Sequence, residues 1–144
     1  MKTVYLVSCV SKKLPSPAPA RDLYTSDWFR KARQYIEATG QPWFILSAEH
    51  GLLHPDTVIA PYEKTLNTMT VAERREWSNR VKNQLASQLP AADRIVVLAG
   101  QRYREFLMDY LHSAVPQVDI PLEGLRIGEQ LRWLKGHLQS EQAS

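Results

Sequence analysis

The chain has 144 residues, 44% of them hydrophobic and 23% charged, and its formal net charge at pH 7 is +3. This composition predicts one globular domain with its own hydrophobic core, and the small positive charge is compatible with a polyanionic partner without requiring one. The single cysteine, Cys9, excludes an intrachain disulfide and a cysteine-based metal cluster, and the lack of a long apolar stretch or signal-peptide core predicts a cytoplasmic protein with no membrane partner.

The first third of the chain is predicted to form a strand, a loop and a helix. Residues 3–7 are apolar and β-branched, as in a buried strand. Residues 8–21 contain three prolines and should form a loop. Ser26 or Asp27 can cap a helix that continues to about residue 38, and Gly40 is suited to end it.

The middle third is predicted to contain a strand, an irregular segment and a long helix. Residues 43–46 have strand character, and residues 58–67 show no regular pattern. A capping box formed by Thr70 and Glu73 begins an amphipathic helix that continues to about residue 89. Its buried stripe is predicted from apolar residues at helical spacing: Val71, Trp77, Val81, Leu85 and Leu89.

The last third repeats the alternation of strand and helix. Residues 94–98 form the third apolar strand, and Gly100 leads into a helix from about residue 103 to residue 112. Residues 117–121 can form a fourth strand, and residues 127–138 a last helix.

This alternation predicts an α/β fold, with a single three-layer domain and a mostly parallel central sheet of about four strands flanked by helices. The domain should comprise residues 1–139, and residues 140–144 should form a polar tail. Ligands of such sheets bind beyond the carboxyl ends of the strands. The loops 8–13, 47–56 and 99–103 each follow a predicted strand, so we expect them to meet at one edge.

The second of these loops is dense in titratable and polar side chains: Ser47, Glu49, His50, His54 and Asp56. Glu49, His50 and Asp56 are candidates for general acid–base chemistry. The alternative is a turn or helix start whose polar residues cap the backbone. A metal site of His50, His54 and Asp56 is a further alternative, but the spacing matches no standard ligand pattern, so no metal or other cofactor is expected.

The first loop combines hydroxyl groups with a lysine pair. Ser8, Ser11, Lys12 and Lys13 can hold a phosphate together with backbone amides. The loop lacks the glycines of an ATP-binding P-loop, and its lysines can equally be a solvated surface pair. Cys9 is a candidate nucleophile if a neighbouring cation lowers its pKa, although a small buried cysteine is the alternative that we favour.

Polar and aromatic residues also follow the proline loop. Asp22 can orient a base or a sugar hydroxyl, or it can form a weak surface ion pair with Arg21. Arg21 and the nearby Tyr24 are counted among the predicted ligand contacts.

In the third loop, Gly100 permits close backbone approach, and Gln101 begins a helix whose amides favour an anion. Tyr62 and Tyr103 are candidate stacking platforms for a base, or else half-buried packing residues.

Five motifs are spread over nearly the whole chain: Val7-Ser8-Cys9 with Lys12-Lys13, Ala18-Pro19-Ala20-Arg21-Asp22-Leu23-Tyr24, residues 44–56 with Ala60-Pro61-Tyr62, Ala99-Gly100-Gln101-Arg102-Tyr103, and Pro121-Leu122-Glu123-Gly124-Leu125-Arg126-Ile127-Gly128. Their combination resembles the DUF6884 family of uncharacterised bacterial proteins. The block from residue 45 to residue 53, continued to Pro61-Tyr62, is also similar to the equivalent block of the YaaA peroxide-stress family. This second resemblance is local.

The YaaA family is associated with DNA binding, and its fold is related to that of uracil-DNA glycosylases. The resemblance therefore implies an α/β domain that handles a nucleic-acid base or a nucleotide, but it transfers no activity. The chain departs from the pattern in two ways. Ser8-Cys9 stands where typical uracil-DNA glycosylases have a water-activating motif, and the chain is shorter than a typical YaaA protein.

The first hypothesis is an enzyme that cleaves an N-glycosidic bond in a nucleotide or nucleic acid. Asp22, Glu49 or Asp56 would stabilise the cationic sugar or orient water, and His50 would assist the leaving base. The remaining predicted site residues would contact the ligand: Ser8, Cys9, Ser11, Lys12, Lys13, Arg21, Tyr24, Ser47, Gly51, Tyr62, Gly100, Gln101 and Tyr103.

The second hypothesis is a non-catalytic module that binds DNA or RNA, related to DNA damage or stress. It needs the same basic and aromatic groups without a poised carboxylate, and its affinity should fall with salt. The helices offer basic residues that are otherwise ordinary solvated side chains: Lys31, Arg33, Arg74, Arg75, Arg80, Arg102 and Arg104. The net charge of +3 argues against binding of a long duplex.

Overall fold

The computed structural model describes residues 2–8 and 12–143, and of residues 138–143 it describes the backbone alone. The elements in chain order are β1 (Thr3–Ser8), β2 (Ala18–Pro19), α1 (Ala20–Leu23), α2 (Asp27–Thr39), β3 (Trp43–Ser47), β4 (Gly51–Leu53), β5 (Val58–Ile59), a 3-10 turn (Leu66–Thr68), α3 (Val71–Gln88), β6 (Arg94–Leu98), α4 (Gln101–Arg104), α5 (Met108–Ala114), β7 (Gln117–Asp119) and α6 (Ile127–Ala143).

In the described part of the chain, five strands form the main sheet in the order β4-β3-β1-β6-β7. β1 pairs in parallel with β3 and β6, and β6 pairs in parallel with β7, so the predicted parallel centre is confirmed. β4 pairs antiparallel with β3. The predicted number of about four strands is thus corrected to five, and the sheet is mixed. β2 and β5 pair separately as a short antiparallel ribbon.

The extra strand, β4, lies within the segment that the sequence predicts to be a loop. The chain reverses directly after β3 because Gly51 adopts a φ of +72°, which a residue without Cβ tolerates. Ser47 then pairs with Gly51 across the hairpin. Leu52 and Leu53 are buried, so this apolar tripeptide forms an edge strand rather than a solvated loop.

The side chains of β1 alternate between two hydrophobic cores, because successive residues of a strand point to opposite faces. Val4 and Leu6 pack on the face that α3 and α5 cover. Tyr5 and Val7 pack on the other face, against residues of α2 and α6 that include Phe29. Helices on both faces of the sheet confirm the predicted three-layer arrangement.

The caps of the two long helices α2 and α3 form as predicted. The Ser26 hydroxyl accepts a hydrogen bond from the Phe29 amide, and Gly40 ends α2 with a φ of +71°. At α3, the Thr70 hydroxyl accepts from the Glu73 amide, and the Glu73 carboxylate accepts from the Thr70 amide. These bonds satisfy backbone donors that the first helical turn leaves unpaired.

Some predicted helix details are wrong. Val71 is 51% exposed, because it lies roughly 80° around α3 from the centre of the stripe that Trp77 and Leu85 bury. The helix predicted over residues 103–112 is divided into α4 and α5, and α6 continues to Ala143 rather than ending near residue 138. Among the described residues, no helix combines the length and the apolar character that crossing a bilayer requires.

Candidate functional site

A cleft of about 870 Å³ lies at the carboxyl ends of β1 and β6. Ser8 and Lys13 line it from the segment after β1, and Gly100 and Gln101 line it from the segment after β6. This is the edge of a parallel sheet at which ligands usually bind. The remaining wall comes from the chain before α3, from α3 itself and from α4 and the residue after it: Tyr62, Glu63, Lys64, Thr65, Asn67, Arg74, Arg102, Tyr103 and Glu105.

The side chains of the cleft carry an excess of positive charge, with four cationic and two acidic groups. One cation and one carboxylate of the wall form an ion pair with each other. Arg74 is only 8% exposed, and its Nε lies 2.6 Å from Glu105 Oε1 while its Nη1 donates to the Met69 carbonyl. Lys64 and Arg102 are exposed, and neither forms an ion pair within 4 Å in the described part of the chain.

Tyr62 connects the cleft to the hairpin of β3 and β4. Its hydroxyl lies 2.8 Å from Ser47 Oγ and 2.7 Å from the Tyr24 hydroxyl, which makes a chain of three hydroxyl groups. The Lys13 ammonium lies 4.4 Å from the centre of the Tyr62 ring. The His50 ring meets the same ring edge to face, with centroids 5.7 Å apart. Tyr62 is therefore oriented by contacts on several sides.

Helix α3 holds the backbone of the hairpin turn through three side chains on one face. Trp77 Nε1 donates to the Ser47 carbonyl at 2.9 Å, and Arg80 Nη2 donates to the Glu49 carbonyl at 2.7 Å. Gln84 bonds to the turn twice, because its Nε2 donates to the His50 carbonyl and its Oε1 accepts from the Leu52 amide. These bonds fix the positions of Ser47 and His50 beside Tyr62.

The three carboxylates predicted as catalytic do not line the cleft. Asp22 pairs with Arg33 at 2.7 Å, and Asp56 pairs with Arg21 on the surface. Burial opposes the charge of Arg33, but its hydrogen bonds and attraction to Asp22 and Glu37 outweigh that effect and raise its pKa.

The other predicted catalytic residues belong to the hairpin turn. The side chain of Glu49 is exposed, and His50 is half-buried against Tyr62. His54 Nδ1 accepts a hydrogen bond from the Asp56 amide. Within residues 2–8 and 12–143, no three His, Cys, Asp or Glu side chains lie close enough together to hold a metal ion.

The first and third loops contribute to the cleft in part. Ser8 and Lys13 line it, whereas Lys12 is exposed and is not part of its wall, and Cys9 and Ser11 lie outside the described residues. The expected helix after Gly100 is the four-residue α4, which is too short to provide the predicted anion site through its amides.

Of the two predicted stacking residues, Tyr103 is 8% exposed and packs edge to face on Trp77. Tyr62 is half-buried. Both rings also line the cleft, so each of these packing residues is at the same time part of the cleft wall.

Comparison with known proteins identifies the family. Residues 4–136 match DUF6884, a family of unknown function. The chain belongs to the DUF6884 family. The chain is also similar to the uncharacterized protein YfjM of Bacillus subtilis (strain 168), with 29% identity over 120 residues that cover 74% of this chain and 75% of YfjM. No solved structure matched the chain.

In this DUF6884 domain, several cleft and turn residues were missed by sequence reasoning. Lys64, Asn67 and Glu105 lie in segments that show no recognisable motif. The helical spacing of Trp77 predicts only a core residue, and no sequence motif contains Gln84. Gln84 lies two turns beyond Trp77 on α3, so helical spacing alone places the two on one face, but nothing in the sequence indicates that this face meets the hairpin turn.

Proposed function

We propose that the cleft binds a nucleotide or a short stretch of single-stranded nucleic acid. The observation that carries the proposal is the combination, in one cleft, of an excess of positive charge and two tyrosine rings. Cations attract phosphate, and aromatic side chains provide stacking surfaces for bases. The block of residues 45–53, continued to Pro61-Tyr62, resembles the YaaA family in its sequence alone, and this resemblance favours the same class of ligand, because that family is associated with DNA binding.

Lys64 and Arg102 are the residues that we assign to phosphate. Both are exposed at the cleft, so their charges can be neutralised by a ligand without breaking an ion pair of the described structure. Lys13 adds a third positive charge above the Tyr62 ring. Arg74 serves a different purpose, because its bond to Glu105 makes it part of the wall.

The base would contact Tyr62 and Tyr103, and the amides of Asn67 and Gln101 offer both donors and acceptors to its edge. The volume of about 870 Å³ falls within the range of roughly 300–1,000 Å³ for small-molecule sites. It suits one or a few nucleotides and not a duplex, and the net charge of +3 is consistent with such a small footprint.

Binding without catalysis is the function that the geometry supports best. An open cleft with excess positive charge is what a binding module needs, whereas Asp22, Glu49 and Asp56 are not part of its wall. Of the two acidic residues that line the cleft, Glu105 is paired with Arg74.

The hydroxyl chain of Ser47, Tyr62 and Tyr24 supports a second candidate, cleavage of an N-glycosidic bond. Hydroxyl groups at 2.7–2.8 Å can pass a proton, and His50 lies beside them. In this alternative, water adds to the sugar carbon and the base leaves with a proton. Glu63 replaces the three predicted carboxylates as the group that stabilises the cationic sugar, because it is exposed at the cleft.

Binding of labelled oligothymidylate and of 5′-phosphorylated thymidine nucleotides, measured over a series of salt concentrations, tests the first candidate. Each lost phosphate contact with a single strand reduces the slope of log affinity against log salt by about 0.7. The double variant Lys64→Gln/Arg102→Gln should therefore reduce the slope by about 1.4 for an oligonucleotide that spans the cleft.

Arg132 and Lys135 provide a matched control, because both are exposed on α6 and neither lines the cleft. Arg132→Gln/Lys135→Gln removes the same charge and should leave affinity and slope nearly unchanged. If both double variants lost affinity and slope equally, the nucleic acid would be attracted by the overall charge of the protein, and the assigned site would be refuted.

Mass spectrometry of the same mixtures tests the second candidate. Release of free base by the wild type, lost in Glu63→Gln and in His50→Ala, would support glycosidic cleavage. Binding without any product, over a panel that includes base-modified DNA and RNA, would leave the non-catalytic function and reject cleavage of the ligands in the panel.

A further inference from the structure

A second, smaller cavity of about 180 Å³ adjoins the cleft, and Gly100 and Gln101 line both. Trp28, in the first turn of α2, forms one of its walls. The indole Nε1 of Trp28 donates a hydrogen bond to Gln130 Oε1 at 2.8 Å, which fixes the ring beside the cavity.

The two cavities differ in charge. The cleft has two more positive than negative side chains. The smaller cavity has one of each, Arg104 and Glu123, and these form an ion pair at 2.8 Å. The Arg104 Nε also donates to the Ala99 carbonyl, so the guanidinium is held in the wall by both contacts. The smaller cavity therefore suits an uncharged group, whereas the cleft suits a phosphate.

We propose that the protein recognises two successive nucleotides, with a phosphate and one base in the cleft and the neighbouring base in the smaller cavity beside Trp28. This inference rests on the proposed function and specifies its ligand as a dinucleotide unit. A volume of about 180 Å³ is below the roughly 300–1,000 Å³ of a complete small-molecule site, so it suits a fragment such as one base. Tryptophan offers that base a broad stacking surface.

Gly100 lies where the two cavities meet, and its surroundings make it a suitable position for a test. A Cβ added there would meet no atom within 4 Å. Its φ of −67° and ψ of 163° are accessible to any L-residue. A leucine at this position should therefore leave the fold intact while its side chain narrows the passage between the cavities.

The experiment measures the affinities of 5′-phosphorylated thymidine mononucleotide and dinucleotide by calorimetry, for the wild type, Gly100→Leu and Gly128→Leu. Gly128 is the matched control, because a Cβ there also meets open space and the residue lines neither cavity. For the wild type we expect the dinucleotide to bind about fivefold or more tightly than the mononucleotide, which is the gain from stacking one further base. Because Gly100 lines both cavities, Gly100→Leu should lower the affinity for the dinucleotide at least fivefold more than the affinity for the mononucleotide and so remove this advantage, and Gly128→Leu should behave as the wild type.

Each other outcome overturns the inference. Equal wild-type affinities for the two ligands, or an equal loss of both in Gly100→Leu, would refute the second base site while the proposed function stands. A wild type that binds neither nucleotide and no oligonucleotide would refute both. Circular dichroism and thermal unfolding of the variants establish that any loss of binding is not a loss of fold.

Discussion

Gly40 and Gly51 allow the contact between α3 and the hairpin turn to be measured. Both glycines adopt a left-handed backbone, with φ of +71° and +72°. A Cβ at Gly40 would meet open space, whereas a Cβ at Gly51 would lie 2.3 Å from Gln84 Oε1. Alanine therefore imposes the same backbone penalty at both positions, but a collision at Gly51 alone.

The structure sets the expected magnitudes. Gly40→Ala should cost roughly 1–2 kcal/mol of unfolding free energy, which is the penalty for an L-residue in the left-handed region. Gly51→Ala should lower the unfolding free energy by the same backbone penalty and also displace Gln84, which bonds to the His50 carbonyl and the Leu52 amide. Loss of these two bonds beside a buried residue costs about 2 kcal/mol more, so we expect a total of about 3–4 kcal/mol.

A double-mutant cycle isolates the collision. Gln84→Ala alone should cost about 2 kcal/mol, because it removes the same two bonds. In that background the remaining close neighbour of the added Cβ is the Arg80 side chain, whose Nε lies 3.2 Å away and can shift by a few tenths of an ångström. Gly51→Ala should then cost little more than the backbone penalty of roughly 1–2 kcal/mol. The coupling free energy between the two positions should thus be about 2 kcal/mol.

Urea unfolding followed by tryptophan fluorescence, with linear extrapolation, gives all four free energies and the Gly40→Ala reference. The reasoning is refuted if Gly40→Ala and Gly51→Ala cost the same, or if the Gly51 and Gln84 substitutions are additive. Either result would mean that Gln84 does not hold the turn.

Three further predictions concern the capping box, the wall of the cleft and the hydroxyl chain. Hydrogen bonds from the amide and hydroxyl of Thr70 lower the pKa of Glu73, so this carboxylate contributes stability at neutral pH that is lost as the pH falls below about 4.3. Glu73→Gln keeps a capping side chain, so its urea midpoint should drop less between pH 7 and pH 3 than the midpoint of the wild type. Glu105→Ala leaves the Arg74 guanidinium buried without its partner and should cost roughly 3 kcal/mol in urea unfolding, and an Arg74→Met/Glu105→Leu double variant should recover most of that loss. Tyr62→Phe removes one hydroxyl that bonds to two others and should lower the unfolding free energy by about 1–2 kcal/mol; if nucleotide affinity is unchanged, the hydroxyl supports the fold and does not contact the ligand.

The central strands and the long helices could be predicted because each carries a strong local signal. β1 and β6 each contain a run of four apolar residues, 4–7 and 95–98, as buried parallel strands do. The caps of α2 and α3 are encoded by residues next to the helix ends. β4 could not be predicted, because three apolar residues have no period of their own. They become a strand only through pairing with β3.

The sequence predicts those residues of the site that directly follow the parallel strands of the sheet. Ser8, Gly100 and Tyr103 line the cleft because loops after parallel strands converge there. Asp22 and Asp56 are carboxylates that residue type alone marks as candidates, and the structure places them in surface ion pairs with Arg33 and Arg21. The sequence offers Arg21 as a partner of Asp22, whereas Arg21 pairs with Asp56. Long-range pairing of this kind has no signature in a single sequence.

The walls of the cleft come from parts of the chain that are distant in sequence, namely the end of β1, the segment before α3 and the start of α4. An unfolded chain therefore has no partial version of the site, and a ligand that fits it binds the native state alone. By linkage, such a ligand raises the free energy of unfolding by about 2.7 kcal/mol at a concentration of 100 Kd. A shift in melting temperature can consequently identify ligands of this protein from a library of nucleotides and oligonucleotides before any reaction is assigned to it.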